Sequence, residues 1–178
     1  MSTRIPLPYS LKVLELFKNP KNLGLIEDTS MVESSSSQAC GDLIKLYLKI
    51  KNVNGEDVIE KATFESYGCD ANIAAASILT EIISGESLRE AWNISWKALS
   101  DILVGLPPIK YHGSILAVGA LKRAIRASYK KLGVNPDWLP RELTVDEKQV
   151  LEEEEIIERC YRSLRAITTG KRGVHHAC

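Results

Sequence analysis

The chain has 178 residues, and its 23 lysines and arginines are matched by 23 aspartates and glutamates for a formal net charge of zero. That length holds one compact domain with a real core plus an appendage, and too little for a second full domain. The charge balance leaves no field that would make nucleic acid or an anionic lipid surface a favoured partner, and no apolar run approaches the roughly 20 residues of a membrane helix. The N-terminus shows neither a basic-then-apolar signal nor the composition of a transit peptide, so the expected location is the cytoplasm. Four cysteines, Cys40, Cys69, Cys160 and Cys178, are unevenly spread. Without a secretory signal they read as reduced thiols, or thiolates on a metal, rather than a disulfide framework.

Residues 10–18, SLKVLELFK, read as a short helix capped by Ser10, with Val13, Leu14 and Phe17 at helical spacing and a stop near Asn19-Pro20. From Gly24 to Gln38 the chain turns polar, and the run Ser34 to Ser37 suits a mobile loop. Two alternating stretches then flank Asn54-Gly55, the signature of a hairpin. Ile44, Leu46, Leu48 and Ile50 share its buried face, Lys45, Tyr47 and Lys49 the other, and Val58, Ala62 and Phe64 are the inward set of the return strand. Residues 71–83 are expected as a helix with Ala75, Ile78, Leu79 and Ile82 as its stripe, stopped by Gly85. Shorter helices are expected at 87–93 and 95–103, before Leu106-Pro107-Pro108 stiffens the chain. A longer one follows from Ser114 to Lys131, with Val118, Leu121, Ile125 and Tyr129 on one side and Gly133 past its end. Residues 134–143 read as a linker from a domain at 1–133 to a helical appendage at 144–178, whose helix spans 145–167. In it Glu152 to Glu155 precede Arg159, Arg162 and Arg165, an order that suits the helix dipole. The tail TTGKRGVHHAC has no periodicity and reads as mobile.

Candidate chemistry lies in three loops, at Cys40-Gly41-Asp42, Gly68-Cys69-Asp70 and Lys110-Tyr111-His112. Cys40 and Asp42 share parity at a strand start, so both side chains emerge on one face. Cys69 and His112 each precede a predicted helix, where free N–H groups favour negative charge and lower a thiol's pKa. Brought together, two thiolates, an imidazole and a carboxylate suit zinc or iron in a tetrahedral site. Each residue also has a plain alternative: a buried small hydrophobe for Cys, a turn residue for Asp, a surface cap for His. Spacing alone leaves the choice open.

The segments ACGDLIKLYLKI, ATFESYGCDANIAAASILTEIISGESL and LPPIKYHGSILAVGALKRAI, with YSLKVLELFKNPKNLG before them, resemble the IscU/NifU-type iron-sulfur cluster assembly scaffolds in order and spacing. The likeness covers roughly residues 9–132. It implies a small α+β fold: a three-stranded antiparallel sheet with helices packed on one side, here joined by a C-terminal amphipathic helix. It further implies a non-enzymatic role: taking sulfur from a cysteine desulfurase, holding a transient [2Fe-2S] cluster and passing it to apo iron-sulfur proteins. By the same likeness Cys40, Asp42, Cys69 and His112 are the ligands of the cluster, of iron, or of zinc in the apo-scaffold. Residues Leu106–Lys110 resemble the segment recognised by an Hsp70-type chaperone. Self-association into a homo-oligomer is a further expectation.

One departure stands out. Where the family has a third cysteine directly after the histidine, this chain has Gly113. Three readings stay open: four ligands suffice; Cys160 or Cys178 supplies the missing thiol; or the chain is a zinc-binding sulfur (persulfide) carrier or a regulator of a cysteine desulfurase. Lys110 is an accessory candidate that would neutralise an anionic cluster. The plain alternative for the appendage is an apolar stripe of Val150, Ile157, Tyr161 and Leu164 that docks on the core or on another subunit.

Overall fold

A computed structural model of the protein describes residues 9–37, 41–104, 106–107, 110–145, 147–148 and 151–152, so Cys40, Cys160, Cys178 and most of the appendage lie outside the described residues. Five helices and three strands follow in the order α1 (Leu11–Lys18), β1 (Met31–Ser37), β2 (Asp42–Val53), β3 (Glu56–Tyr67), α2 (Asp70–Ile83), α3 (Leu88–Trp92), α4 (Trp96–Leu103) and α5 (His112–Leu132). The sheet is antiparallel in the order β1-β2-β3, and α2 and α5 pack on its apolar face, as expected of the α+β class.

The β2–β3 hairpin forms where Asn54-Gly55 predicts it. Both residues have positive φ, 53° and 89°, which matches the right-handed strand twist and which a β-branched residue would resist. Asn52 accepts the Gly55 N–H at 3.0 Å and donates to Asp57 at 2.9 Å, closing the turn. Ile44, Leu46 and Leu48 are buried as their parity requires. On β3 the parity is broken: the register shifts between Lys49 and Ile50, so Ile59 rather than Val58 points inward and is fully buried, with Ala62 and Phe64 beyond it. One extra residue in a strand reverses which side chains face the core, and nothing in the local sequence announces it.

The serine run is not a loop. Met31–Ser37 pairs with β2 from Met31↔Leu48 to Ser37↔Asp42, and α5 lies against it. Serine disfavours a strand only weakly once a neighbour supplies the backbone partners, so tertiary pairing overrides composition. The outer edge of β3 is also covered: Gly24 donates to Phe64 at 2.7 Å, and Phe64 donates to Asn22 at 3.0 Å, which leaves that stretch of edge paired.

Ser10 caps α1 by accepting from the Val13 N–H at 3.3 Å and also donates to the Leu103 carbonyl at 2.8 Å, so the cap orients the helix. That orientation buries Val13 and Leu16, while Phe17, expected inside, is 37% exposed. Helix α2 is buried on nearly all sides, because Ala71, Ala74, Ala75 and Ala76 let the sheet, α1 and α5 approach it together. Ser87 and Glu90 form a full capping box on α3, and Ser95 caps α4.

Past α5, the mostly exposed segment 134–143 is anchored to the body by Trp138 and Leu139. Trp138 meets Tyr129 edge-on at 5.6 Å and Trp92 at 6.5 Å, and Leu139 is buried. Thr144 and Glu147 then begin a helical turn: the Glu147 carboxylate accepts from the Thr144 N–H at 2.7 Å and from its hydroxyl at 2.8 Å. Arg126 of α5 grips the same carboxylate through Nε and one terminal nitrogen, and also donates to the Pro140 and Glu142 carbonyls at 2.6 Å each. Glu147 is 1% exposed. Burial alone would push its pKa up, but the donors from Arg126 and Thr144 outweigh it and hold the carboxyl below the usual range.

Candidate metal centre

Three segments distant in the chain meet at one end of the sheet. Asp42 opens β2, Cys69 is the cap residue of α2, separated from β3 by Gly68 alone, and His112 opens α5. The approach depends on Gly68, since a Cβ there would stand 2.4 Å from Asp42 Oδ1 and 2.6 Å from its Cγ. The carboxylate therefore occupies the space that any other side chain at 68 would need.

Asp42 is only 2% exposed, and a buried carboxylate requires donors. Oδ1 accepts the Cys69 backbone N–H at 2.9 Å, the first free donor at the start of α2. Oδ2 accepts from the Cys69 thiol at 3.2 Å and lies 2.9 Å from His112 Nε2, which donates when that nitrogen carries the proton. Cys69 Sγ and His112 Nε2 are 3.8 Å apart. One ligand atom from each residue thus lies within 4.8 Å of the others. A tetrahedral zinc or iron with ordinary bond lengths needs donor–donor separations of about 3.5 Å, so the set accepts such an ion with small side-chain adjustments.

Lys110 stands beside this group. The electrostatic interaction with the neighbouring Cys69 sulfur is the largest cause that holds its ammonium above the usual lysine range, with Tyr9 and Asp42 adding to the effect against partial burial. Its backbone is fixed by a 2.7 Å bond from its N–H to the Pro107 carbonyl, the turn that the two prolines announce. Of the residues singled out from sequence, the fold brings Asp42, Cys69 and His112 together with Lys110 at their side, while Cys40, Cys160 and Cys178 fall outside the described residues.

Two contributors matter through packing that the sequence did not announce. Gly113 is buried, and a Cβ on it would stand 3.0 Å from Asn72 Cα and 3.1 Å from both Asn72 N and the Ala71 carbonyl oxygen. Asn72 itself is fully buried in the first turn of α2. The available hint was an amide within the otherwise apolar run ANIAAA, where a polar side chain needs a partner.

Residues 8–134 match the NifU-like N terminal domain family. Over 125 residues the chain is 42% identical to the iron-sulfur cluster assembly scaffold protein IscU 1 of Archaeoglobus fulgidus, spanning 70% of this chain and 79% of that one. It is likewise 42% identical over 127 residues to the scaffold protein IscU of Escherichia coli K12, spanning 70% and 95%. Among solved structures, the N-terminal part of a nitrogen-fixing NifU-like protein from Brucella abortus superposes with a TM-score of 0.53 at 19% identity, covering 70% of this chain and 96% of that one, and so supports the fold. Among the described residues no helix is long and apolar enough to cross a membrane. Sequence, fold and the matched span agree: the chain belongs to the family of NifU-like N-terminal domains.

Proposed function

We propose that this protein is a scaffold on which an iron-sulfur cluster is built as cargo, held briefly and handed to apo-proteins, with no turnover chemistry of its own. The observation that carries the reading is the convergence of Asp42, Cys69 and His112, three donors of different chemistry within 4.8 Å at one end of the molecule. The relatives named as iron-sulfur cluster assembly scaffolds support it. A mixed set of thiolate, imidazole and carboxylate binds iron-sulfur units less tightly than four thiolates do, which suits release. Cys40, two residues before Asp42, is the proposed fourth donor, and a [2Fe-2S] cluster is the proposed cargo. A cysteine desulfurase would supply sulfur, and the setting would be the cytoplasm. An Hsp70-type chaperone reading residues 106–110 would have to draw out Leu106, whose side chain is buried in the core.

A second reading, a zinc-binding persulfide carrier or desulfurase regulator, is favoured by Gly113, which stands where the resemblance places a third cysteine beside His112. Anaerobic reconstitution with iron and sulfide, followed by Mössbauer spectroscopy on the native chain and on Cys69→Ala, separates the two. A [2Fe-2S] spectrum lost in Cys69→Ala supports the scaffold. A colourless chain that holds zinc tightly supports the carrier, and a chain that takes up neither metal refutes both.

A further inference from the structure

Asn72 touches all three segments that deliver the donor atoms. Its Nδ2 donates to the Leu43 carbonyl at 3.3 Å, one residue after Asp42, and to Ser66 Oγ at 2.9 Å, three residues before Cys69. Its backbone N–H donates to the Cys69 carbonyl at 3.0 Å. Its Cα and N lie 3.0 and 3.1 Å from where a Gly113 Cβ would stand, so the backbone beside His112 rests directly on it.

The amide carries a cost. Asn72 is completely buried, yet its Oδ1 has no hydrogen-bond partner. An unpaired buried acceptor is destabilising, and an alanine at this position, of the kind that fills the rest of α2, would avoid the penalty. What the amide supplies in return is a clamp. Nδ2 holds the start of β2 to the end of β3 from the helix side, and the bare Cα of Gly113 lets α5 close onto the same point.

We propose that Asn72 is the positioning residue of the donor cluster: it fixes the separations of Asp42, Cys69 and His112 by bonding to the first two segments and seating the third through Gly113. The residue touches no metal and acts only through the ligands. This rests on the reading of those three residues as a metal centre. It also gives Gly113 a role of its own, as the contact that makes the clamp reach α5, rather than only the place of a missing thiol.

Residues that orient metal ligands typically change affinity by about 10- to 100-fold when removed. Cobalt(II) titration under anaerobic conditions reads both affinity and geometry, through the thiolate-to-cobalt charge-transfer band and the ligand-field bands. The native chain, Asn72→Ala, Ser66→Ala and Gly113→Ala would be compared, with a thermal melt of each. The expected result is cobalt binding at least about 10-fold weaker in Asn72→Ala with shifted ligand-field bands, and a smaller loss in the other two. A lower melting temperature with native affinity and a native spectrum would make Asn72 a packing residue only and overturn the proposal. If Asn72→Ala does not fold, Ser66→Ala decides, and native cobalt binding there overturns it as well. A native chain with no thiolate-to-cobalt band would instead sink the metal-centre reading, and the positioning role with it.

Discussion

Asp42 shows how one side chain can serve two purposes that pull in opposite directions. It accepts from the Cys69 N–H and thiol and lies within hydrogen-bond reach of the His112 ring, and in the proposed centre it would also be the hardest donor offered to soft iron-sulfur cargo. Asp42→Ala should therefore slow the loss of a reconstituted cluster to a chelator, while costing about 1–3 kcal/mol of stability because the Cys69 N–H loses its partner. Faster loss would show that the carboxylate holds the cluster rather than loosening it. Gly68→Ala acts on the same group from outside, since its Cβ would collide with the carboxylate. It should destabilise by about 1–3 kcal/mol in urea denaturation and weaken metal binding, and native values for both would mean that the turn can yield. Gly113→Cys offers sulfur chemistry a third thiol, but the new Cβ presses on the backbone of α2. Its unfolding free energy in urea denaturation should fall by about 1–3 kcal/mol through overpacking, and an unchanged value would show that α5 moves aside freely.

At the scale of elements, Arg126 and Glu147 join the segment after α5 to the body. The Glu147 carboxyl lies below its usual range, so its ion pair contributes stability that is complete above the unfolded-state value of about 4.3 and is lost as pH falls through the lower folded value. Arg123, Lys130 and Glu33 line the same cavity. Amide exchange around 138–148 should thus rise on acidification below about pH 4, while the sheet stays protected, and Glu147→Gln should flatten that dependence. A segment equally protected at pH 3 and pH 7 would show that Trp138 and Leu139 hold it without the ion pair. Leu139→Ala measures that apolar share directly, with an expected cost of about 2–3 kcal/mol in a thermal or urea melt.

At the scale of the molecule, the candidate donors come from residues 42, 69 and 112, and only the closed fold unites them. The core that unites them consists of the apolar sheet face, α2 and α5, none of which lies in the appendage. A chain ending at Glu152 keeps that core together with Trp138, Leu139 and Glu147. It should bind cobalt or iron as the full chain does, and a loss of affinity would place a ligand, Cys160 or Cys178, in the removed segment. Much of this was legible beforehand, because the hairpin turn, the serine caps and the apolar period of α5 are local signals that the tertiary structure had no reason to override. What was not legible shares a different cause. The strand at Met31–Ser37, the inward turn of Ile59, the exposure of Phe17 and the seat of Trp138 each depend on a partner in another element.

Sequence alone determined the chemical types of the candidate donors and their positions at the ends of elements, because strand parity, caps and proline turns are written in nearest neighbours. It also carried the family resemblance, through several linked motifs rather than any single residue. Only the tertiary structure decided that Asp42 would be buried against Cys69 and His112, that Gly68 and Gly113 would be needed for their lack of a side chain, and that Asn72 would stand behind all three. Close approach is a property of two surfaces at once, and a linear pattern records each surface without the distance between them.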